Sequence, residues 1–262
     1  MLSSLQNPLV KQLRKLHRAK ERRKQACFLL EGTHLVEEAD RASWPLSVVC
    51  HTAAWQQRHI DLYQQLIQQA QRVELVSEPV LEAIATTAHP DGVIAAANHQ
   101  PHPVSEALPS LGLGIEALQD PGNLGTIIRT AAAAGVDRVC LSEDSVDLEH
   151  PKVLRASAGQ WFRLPMEQHT AWYEEVAQLQ GKVQVVATSP TAQQPYWNLD
   201  LRRPTLILVG NEGAGLSERA MQLASHQISI PTAAEVESLN VAIATALVLY
   251  EALRQRQATG RS

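Results

Sequence analysis

Short apolar runs alternate with amphipathic stretches between Ala26 and about Ala97. The runs predict strands and the stretches predict helices, a combination typical of a small α/β module. The strands are predicted at Phe28–Leu30, Leu46–Cys50, Val73–Val76 and Gly92–Ala96, and the helices at Thr33–Arg41, Ile60–Gln71 and Pro79–Ala85.

From Leu111 onwards the predicted strands are almost continuously apolar. Strands of this kind are buried on both faces, which favours a parallel sheet covered by helices. The strands are predicted at Leu111–Leu118, Arg138–Leu141, Val183–Ala187, Leu206–Val209 and Ile228–Ile230, and the helices at Leu124–Ala134, Trp172–Gln180, Leu216–Ala224 and Asn240–Gln255. Ligands of such sheets gather at the carboxyl ends of the strands. The loops after the first, fourth and fifth of these strands are therefore predicted to form one site.

A polar, proline-containing segment separates the two halves. Pro101, Pro103 and Pro109 lack a backbone donor and restrict the residues before them, which is typical of a linker. We therefore predict a domain over residues 1–100, a linker over 101–110 and a second domain over 111–262.

Charge is distributed unevenly. The first 26 residues contain eight Lys/Arg and one acid, a net charge of +7, whereas the whole chain has −4, so the remainder carries −11. A basic segment on an acidic body is typical of a polyanion-binding protein. A solvated charged helix over residues 8–24 is the alternative, because Leu9, Leu13 and Leu16 share one helical face.

The segment Asp120–Arg129 has the composition of a turn between a strand and a helix. Pro121 and Gly122 favour a bend, and Asn123 is a good N-cap. Taken alone, the segment is an ordinary capped turn. Arg129 is unusual because it interrupts an apolar run, where a charge is not buried without a partner.

The segment Gly210–Gly215 has three glycines among six residues, which indicates positive φ angles or close contact with a ligand. It lacks the Lys-Ser/Thr of a P-loop and the glycine order of a dinucleotide fingerprint. Gly112–Ala117 does match G-x-G-x-x-A, but it falls within a predicted strand and is attributed to chance. A nicotinamide-dependent oxidoreductase is disfavoured for this reason.

The segment Ile230–Asn240 connects the last strand to the last helix. Ser238 or Asn240 is suited to cap that helix. The helix is apolar nearly all round, which predicts burial, including at a subunit interface.

Together these three loops resemble the SpoU (TrmH) family of RNA ribose methyltransferases. The similar segments are Asn123–Ala131, Pro151–Gly159, Leu208–Leu216 and Ile230–Val241, the last through Glu237–Asn240. At the N-terminus, Ser4–Lys11 and Phe28–Gly32 resemble the ribosomal-RNA branch of the family, which carries a domain similar to a small RNA-binding ribosomal protein.

The resemblance implies an α/β fold with two parts. The C-terminal part would be a deep-trefoil-knot methyltransferase domain with a parallel sheet, although knots are very rare in proteins. The smaller N-terminal part would be a ribosomal-protein-like RNA-binding domain. The resemblance also implies a homodimer formed through the C-terminal domain.

The resemblance further implies S-adenosylmethionine as methyl donor and assigns the site residues. The expected donor-binding residues are Leu208, Gly210, Asn211, Gly213, Gly215, Ile230 and Leu239, and the expected catalytic residues are Asn123, Arg129, Glu212, Ser238 and Asn240. The family nominates Arg129 as the base, but arginine stays protonated in proteins. Arg129 is therefore expected either to take the proton or to bind phosphate and polarise the 2′-hydroxyl.

RNA contacts are expected from the basic segment and from the second matching motif. The residues are Lys11, Arg14, Arg18, Arg22, Arg23, Arg155 and Ser157, with a surface ion pair as the alternative for Arg155. Three widely spaced cysteines and the lack of a signal segment or an apolar span favour the cytoplasm and no membrane. The histidines lack the spacing of a ligand set, and no metal is expected.

The expected activity is methyl transfer from S-adenosylmethionine to a ribose 2′-hydroxyl of 23S ribosomal RNA. A tRNA 2′-O-methyltransferase is the alternative within the same class. A non-catalytic RNA-binding factor in ribosome assembly is the alternative outside it, disfavoured because the motif side chains are intact.

Overall fold

The computed structural model describes residues 1–102, 107–233, 236 and 238–259. The chain forms two compact units, Met1–Gln100 with Asp147–Phe162, and Pro101–Val146 with Arg163–Ser262. The predicted boundaries at 100 and 111 differ from this division because residues 147–162 pack with the N-terminal residues. Part of the predicted linker, residues 103–106, lies outside the described residues. No helix in the described ranges has the length and apolar character needed to cross a bilayer.

The first unit contains a four-stranded sheet in the order β1-β4-β2-β3, counted over the described residues. Strand β4 is antiparallel to β1 and β2, whereas β3 is parallel to β2. The strands are β1 (Cys27–Glu31), β2 (Leu46–His51), β3 (Val73–Leu75) and β4 (Val93–Asn98), and the helices are α1 (Pro8–Lys15), α2 (Ala19–Gln25), α3 (Thr33–Arg41), α4 (Ala53–Arg58), α5 (Ile60–Gln69) and α6 (Glu78–Ile84). The predicted α/β module is confirmed, although helix α4 was not predicted.

The second unit contains a parallel sheet in the order β10-β8-β9-β5-β6-β7, again over the described residues. Its strands are β5 (Leu111–Ile115), β6 (Arg138–Ser142), β7 (Met166–His169), β8 (Gln184–Thr188), β9 (Thr205–Val209) and β10 (His226–Ile228). The remaining helices are α7 (Pro121–Ala133), α8 (Pro151–Ala156), α9 (Trp172–Leu179), α10 (Glu218–Leu223) and α11 (Val241–Thr259), of which α8 belongs to the first unit. The predicted parallel sheet is confirmed, whereas β7 and α8 were not predicted.

The basic N-terminal segment is two helices, so the single helix predicted over residues 8–24 is wrong. Helix α1 ends at Lys15 and α2 begins at Ala19. The guanidinium of Arg22 lies behind the break and donates to the carbonyls of Leu16 and His17 at 3.0 and 3.1 Å. These bonds compensate for helical hydrogen bonds that the break removes.

The glycines of the G-x-G-x-x-A segment lie in strand β5, as the sequence indicated. A Cβ atom on Gly112 would lie 2.9 Å from Leu206 Cδ1, and one on Gly114 would lie 2.6 Å from Leu208 Cδ2. These glycines therefore make room for leucines of the adjacent strand β9, and they open no helix.

Residues 147–162 are packed into the first unit by several kinds of contact. Asp147 forms an ion pair with the buried Arg22. The ring of Trp161 lies 5.1 Å from Phe28 and 5.2 Å from Trp44, measured between centroids. A Cβ atom on Gly159 would lie 2.4 Å from Cγ of Glu38, so the backbone approaches helix α3 closely.

Cys27, Cys50 and Cys140 are free thiols. Cys50 and Cys140 are buried, and burial raises the pKa of each to about 12. The two therefore behave as small apolar side chains, as the sequence indicated.

Candidate active site

Four loops leave the same edge of the parallel sheet. The strand ends pair in register, with Ile115 beside Val209, Ala187 beside Leu208 and Thr188 beside Ile228. The loops that follow β5, β8, β9 and β10 therefore start side by side. Three of these loops were identified in the sequence, and the loop after β8 was not.

Helix α7 begins earlier than the sequence indicated. Asp120 is its N-cap and accepts a hydrogen bond from the backbone N–H of Asn123 at 2.8 Å, with Pro121 in the first turn. The prediction that Asn123 is the cap is therefore wrong. The Asn123 side chain is free for contacts outside its own helix.

Glu212 connects the loop after β9 to the start of α7. Its Oε1 accepts from the backbone N–H of Asp120 at 2.8 Å and from Nδ2 of Asn123 at 3.2 Å. Its Oε2 accepts from the backbone N–H of Gln119 at 3.2 Å. Burial alone would raise the pKa of Glu212, but these donors and its own backbone N–H lower it below the ordinary value. Glu212 is therefore an ionised anchor at neutral pH.

Asn240 brings the third loop into the same network. Its Nδ2 donates to Oδ1 of Asn123 at 3.0 Å. Its Oδ1 accepts from the backbone N–H groups of Ala242 and Ile243 at 2.9 and 3.3 Å, which caps helix α11. The capping role and the site role suggested by the sequence thus belong to the same side chain.

The glycine loop is closed on itself. The backbone groups of Asn211 and Gly215 exchange hydrogen bonds of 3.0 and 2.9 Å, and Gly215 has a φ of +70°. A Cβ atom on Gly210 would lie 2.2 Å from the carbonyl of Gly215, so this position requires glycine. Gly213 has no such restriction, because its nearest neighbour would lie at 3.7 Å.

The side chain of Asn211 supports the loop from both sides. Its Oδ1 accepts from the backbone N–H groups of Gly213 and Ala214 at 2.9 and 3.0 Å. Its Nδ2 donates to the carbonyl of Ala117 at 2.9 Å, after strand β5. Asn211 therefore holds the glycine loop against the neighbouring strand end.

The other expected donor-binding residues differ in accessibility. Leu208 is fully buried in the core with Trp172 and Val176, so its side chain is not presented to solvent. Ile230 is half-buried and Leu239 is 36% exposed. Residues 234, 235 and 237 of the third motif lie outside the described residues.

Arg129 and Ser238 are both exposed. Neither has a hydrogen-bond or ion-pair partner among the residues that the structure describes. Because Arg129 is exposed on helix α7, its charge needs no buried partner. The structure therefore brings Asn123, Glu212 and Asn240 into one network but does not connect these two residues to it.

The expected RNA-binding residues fall into two groups. Lys11, Arg14, Arg18 and Arg23 are exposed on α1, α2 and the turn between them. Arg22 does not fit this role, because it is 1% exposed and its charge is paired inside the unit.

The two expected RNA contacts in the second matching motif are engaged within the first unit. Arg155 Nη1 lies 3.2 Å from Oε2 of Glu31 and 2.9 Å from Oγ1 of Thr86, which agrees with the ion-pair alternative. Ser157 is fully buried and donates to the carbonyl of Leu154 at 2.8 Å, so it does not fit a phosphate contact.

Two residues at the end of β5 were missed by sequence reasoning. Glu116 is buried and accepts hydrogen bonds from Ser217 and Tyr173. Ala117 has a φ of +52°, and its carbonyl accepts a hydrogen bond from Nδ2 of Asn211. A carboxylate directly after an apolar strand was the available signal for Glu116, whereas no sequence signal marks the conformation of Ala117.

Metal ligands are not clustered in the described part of the chain. No group of three or more His, Cys, Asp or Glu is placed there to hold an ion.

Comparison with known families matches both parts of the sequence. The SpoU rRNA Methylase family model matches residues 110–250, and the MRM3-like substrate binding domain model matches residues 7–95. The chain belongs to the SpoU rRNA methylase family.

Relatives of this family member align over nearly its whole length. An uncharacterized tRNA/rRNA methyltransferase of Synechocystis is 47% identical, over 98% of this chain and 94% of that protein. The 23S rRNA (guanosine(2553)-2′-O)-methyltransferase of Bacillus subtilis is 34% identical, over 95% of this chain and 97% of that enzyme. The structure of an AdoMet-bound rRNA methyltransferase from Sinorhizobium meliloti superimposes with a TM-score of 0.86 at 31% identity, covering 97% of both chains.

These matches confirm three expectations drawn from the sequence. They are the SpoU family with its substrate-binding domain, the S-adenosylmethionine-dependent methyltransferase class and the methyl donor. The assignment of individual residues to steps of the reaction stays a prediction.

Proposed function

We propose that this protein transfers the methyl group of S-adenosylmethionine to a ribose 2′-hydroxyl of 23S ribosomal RNA in the cytoplasm. One observation carries the proposal, the network in which Asn123 bonds both Glu212 and Asn240. These three side chains come from the three separate family motifs. Their meeting at the carboxyl ends of parallel strands is the expected position of a ligand site. The full-length relationship to the Bacillus 23S rRNA enzyme supports the choice of RNA.

The residues present fit the methyl donor. Gly210 and Gly215 leave the two ends of the loop without side chains, and a Cβ atom on Gly215 would meet open space, so backbone groups are accessible to a ligand there. The loop after β10 adds apolar surface, from the half-buried Ile230 and the exposed Leu239. Backbone polar groups beside apolar side chains suit an adenosine. When bound, the donor supplies an electrophilic methyl group on a sulfonium.

The protein's own contribution is mainly positioning. Glu212 is ionised and fixes the start of α7. The Asn123 side chain is oriented by its hydrogen bonds to Glu212 and Asn240. We assign Asn123, Asn240 and Ser238 to orienting the ribose, because alignment supplies much of the rate in a displacement. Arg129 is exposed and positively charged, and we assign it to binding the RNA phosphate and polarising the 2′-hydroxyl.

RNA binding by the first unit is proposed to depend on its exposed cations. Lys11, Arg14, Arg18 and Arg23 provide four positive charges on neighbouring helices and the intervening turn. Such charges bind phosphates without reading sequence. A ribosomal-protein-like fold for this unit is part of the proposal.

We also propose a homodimer and a knotted C-terminal domain. Helix α11 exposes Ile243, Leu247 and Tyr250 to 53%, 37% and 50%. Their spacing places these apolar side chains along one face, which supports contact with a second copy. The knot is what membership in the SpoU family implies, and a crystallographic trace through residues 210–240 tests it.

The experiment that tests the function is a map of ribose methylation on total RNA, with and without the protein. We expect one additional 2′-O-methyl group in 23S RNA. Methylation found only in tRNA would show that tRNA, and not 23S RNA, is the substrate. RNA binding without any methylation would favour a non-catalytic factor in ribosome assembly.

A second test addresses Arg129. Arg129→Ala should retain donor binding by calorimetry and lose methylation, whereas Arg202→Ala, which removes an exposed arginine paired with Asp200, should retain both. Full activity of Arg129→Ala would remove this residue from the mechanism.

A further inference from the structure

A buried carboxylate lies directly behind the glycine loop. Glu116 follows strand β5 and is 4% exposed. Its backbone N–H donates to the carbonyl of Val209 at 2.9 Å, the last residue of β9 before the loop begins. A buried carboxylate is costly unless its oxygens are hydrogen-bonded. The partners of Glu116 therefore indicate what it does.

Three donors surround this carboxylate. Oε2 accepts from the backbone N–H of Ser217 at 2.8 Å, and Oε1 accepts from Oγ of Ser217 at 2.6 Å. Oε1 also accepts from the hydroxyl of Tyr173, whose ring lies beneath the guanidinium of Arg219 at 4.0 Å. Glu116 thus accepts from both hydrogen-bond donors of a single residue, Ser217.

Ser217 is the point where the glycine loop becomes helix α10. It comes two residues after Gly215, and its Oγ accepts from the backbone N–H of Ala220 at 3.1 Å as the N-cap. The opposite end of the loop is fixed by Asn211, which donates to the carbonyl of Ala117. Two consecutive residues at the end of β5 therefore hold both ends of the glycine loop.

We propose that Glu116 is a positioning residue for the methyl donor, acting through Ser217 on the backbone of the glycine loop. This inference rests on the proposed function, because it requires that the loop binds the donor. Glu116 itself does not contact the reacting atoms. Its role is to fix the loop before binding, so that no ordering of the loop is required when the donor arrives.

The test is donor binding and steady-state kinetics of Glu116→Gln in the full chain. Glutamine keeps the length but replaces one acceptor oxygen with an NH2 group, so at least one of the hydrogen bonds that Ser217 and Tyr173 donate to Glu116 must be lost or reversed. We expect the Kd and the KM for S-adenosylmethionine to rise about tenfold, with kcat at saturating donor within twofold of the wild type. Glu174→Gln is the matched control, because Glu174 is exposed on the same helix as Tyr173.

Variants of Ser217 test whether Glu116 acts on the glycine loop through this residue. Ser217→Ala should weaken donor binding in the same way, and Ser217→Thr, which keeps the hydroxyl, should restore most of it. The double variant Glu116→Gln/Ser217→Ala should bind no more weakly than Glu116→Gln alone, since both remove one shared interaction.

The outcomes separate the inference from the function on which it rests. Failure of the wild type to bind S-adenosylmethionine overturns the proposed function. Wild-type binding with an unchanged Kd in folded Glu116→Gln overturns the inference, as does a lower kcat with an unchanged KM. If Glu116→Gln does not fold, the Ser217 pair decides the question, and equal donor affinity in Ser217→Ala and the wild type overturns the proposal.

Discussion

Gly210→Ala is the substitution that most directly tests the shape of the glycine loop. The new Cβ atom would lie 2.2 Å from both the carbonyl carbon and the oxygen of Gly215, and 2.4 Å from the nitrogen of Leu216. All three are backbone atoms, so no side-chain rotation relieves the contact. The loop must open for the variant to fold.

The size of the effect follows from these distances. A real Cβ atom keeps at least 3.0 Å, so the backbone of Gly215 must retreat by about 0.8 Å. That movement strains the two hydrogen bonds between Asn211 and Gly215, each worth about 1 kcal/mol. Overpacking of a tight site costs roughly 1–3 kcal/mol by itself. The variant must meet this strain to return the loop to its closed form for binding. A loss of at least about 2 kcal/mol of binding free energy corresponds to a roughly 30-fold weaker affinity for S-adenosylmethionine.

The assay is calorimetric titration of S-adenosylmethionine into Gly210→Ala, with Gly213→Ala as the comparison. Both variants add one methyl group to the same loop. At Gly213 the nearest atom would lie 3.7 Å away, at Oδ1 of Asn211, so we expect a much smaller loss of at most about threefold.

Equal donor affinity in Gly210→Ala and the wild type would refute the reasoning, because the loop would then tolerate opening. Equal and large losses of donor affinity in both variants would also refute the reasoning. They would indicate that the loop is sensitive to any added methyl group and that the contact at Gly210 is not specific.

Three further predictions concern other parts of the molecule. Arg22→Met should lower the free energy of unfolding, measured by urea denaturation, by about 3 kcal/mol, because it removes the ion-pair partner of Asp147 and the hydrogen bonds to the carbonyls of Leu16 and His17. Arg23→Ala should change the free energy of unfolding by less than about 0.5 kcal/mol and reduce the salt dependence of RNA binding. Folding lowers the pKa of Glu212, so its ionised form stabilises the native state. The difference in unfolding free energy between the wild type and Glu212→Gln should therefore be constant above about pH 5 and disappear as the pH falls through the lowered pKa. A difference that grows in acid would contradict the role of Glu212 as an ionised anchor. If the proposed homodimer forms through α11, Leu247→Glu should give a monomer in light scattering where the wild type gives a dimer, and a dimeric mass for the variant would exclude this face of α11 from the interface.

The periodicity of apolar residues was sufficient to predict most helices and strands, because each of these elements buries one face or both faces. Helix α3 has the predicted bounds, Thr33–Arg41. Strand β7 was missed because its sequence, Met-Glu-Gln-His, is mostly polar, and it lies at the edge of the sheet beside β6. Only its pairing with β6 reveals it.

The candidate site was predictable as loops but not as a network. Asn123 was predicted as the cap of α7, whereas the structure uses Asp120, and both residue types are good caps by local rules. The choice depends on Glu212, which lies 89 positions from Asn123 and accepts from both the backbone of Asp120 and the side chain of Asn123. A contact over that separation has no local signal.

The family motif at Pro151–Gly159 illustrates a different limit, because membership in a motif does not determine which unit a residue serves. The SpoU family model spans this segment, yet its side chains are used within the first unit. Arg155 is paired with the buried Glu31, and Ser157 is enclosed. Variants of these two residues should therefore weaken RNA binding only to the extent that they unfold the first unit. An Arg155→Ala variant that keeps its thermal stability but loses RNA affinity would return this arginine to the RNA-binding surface.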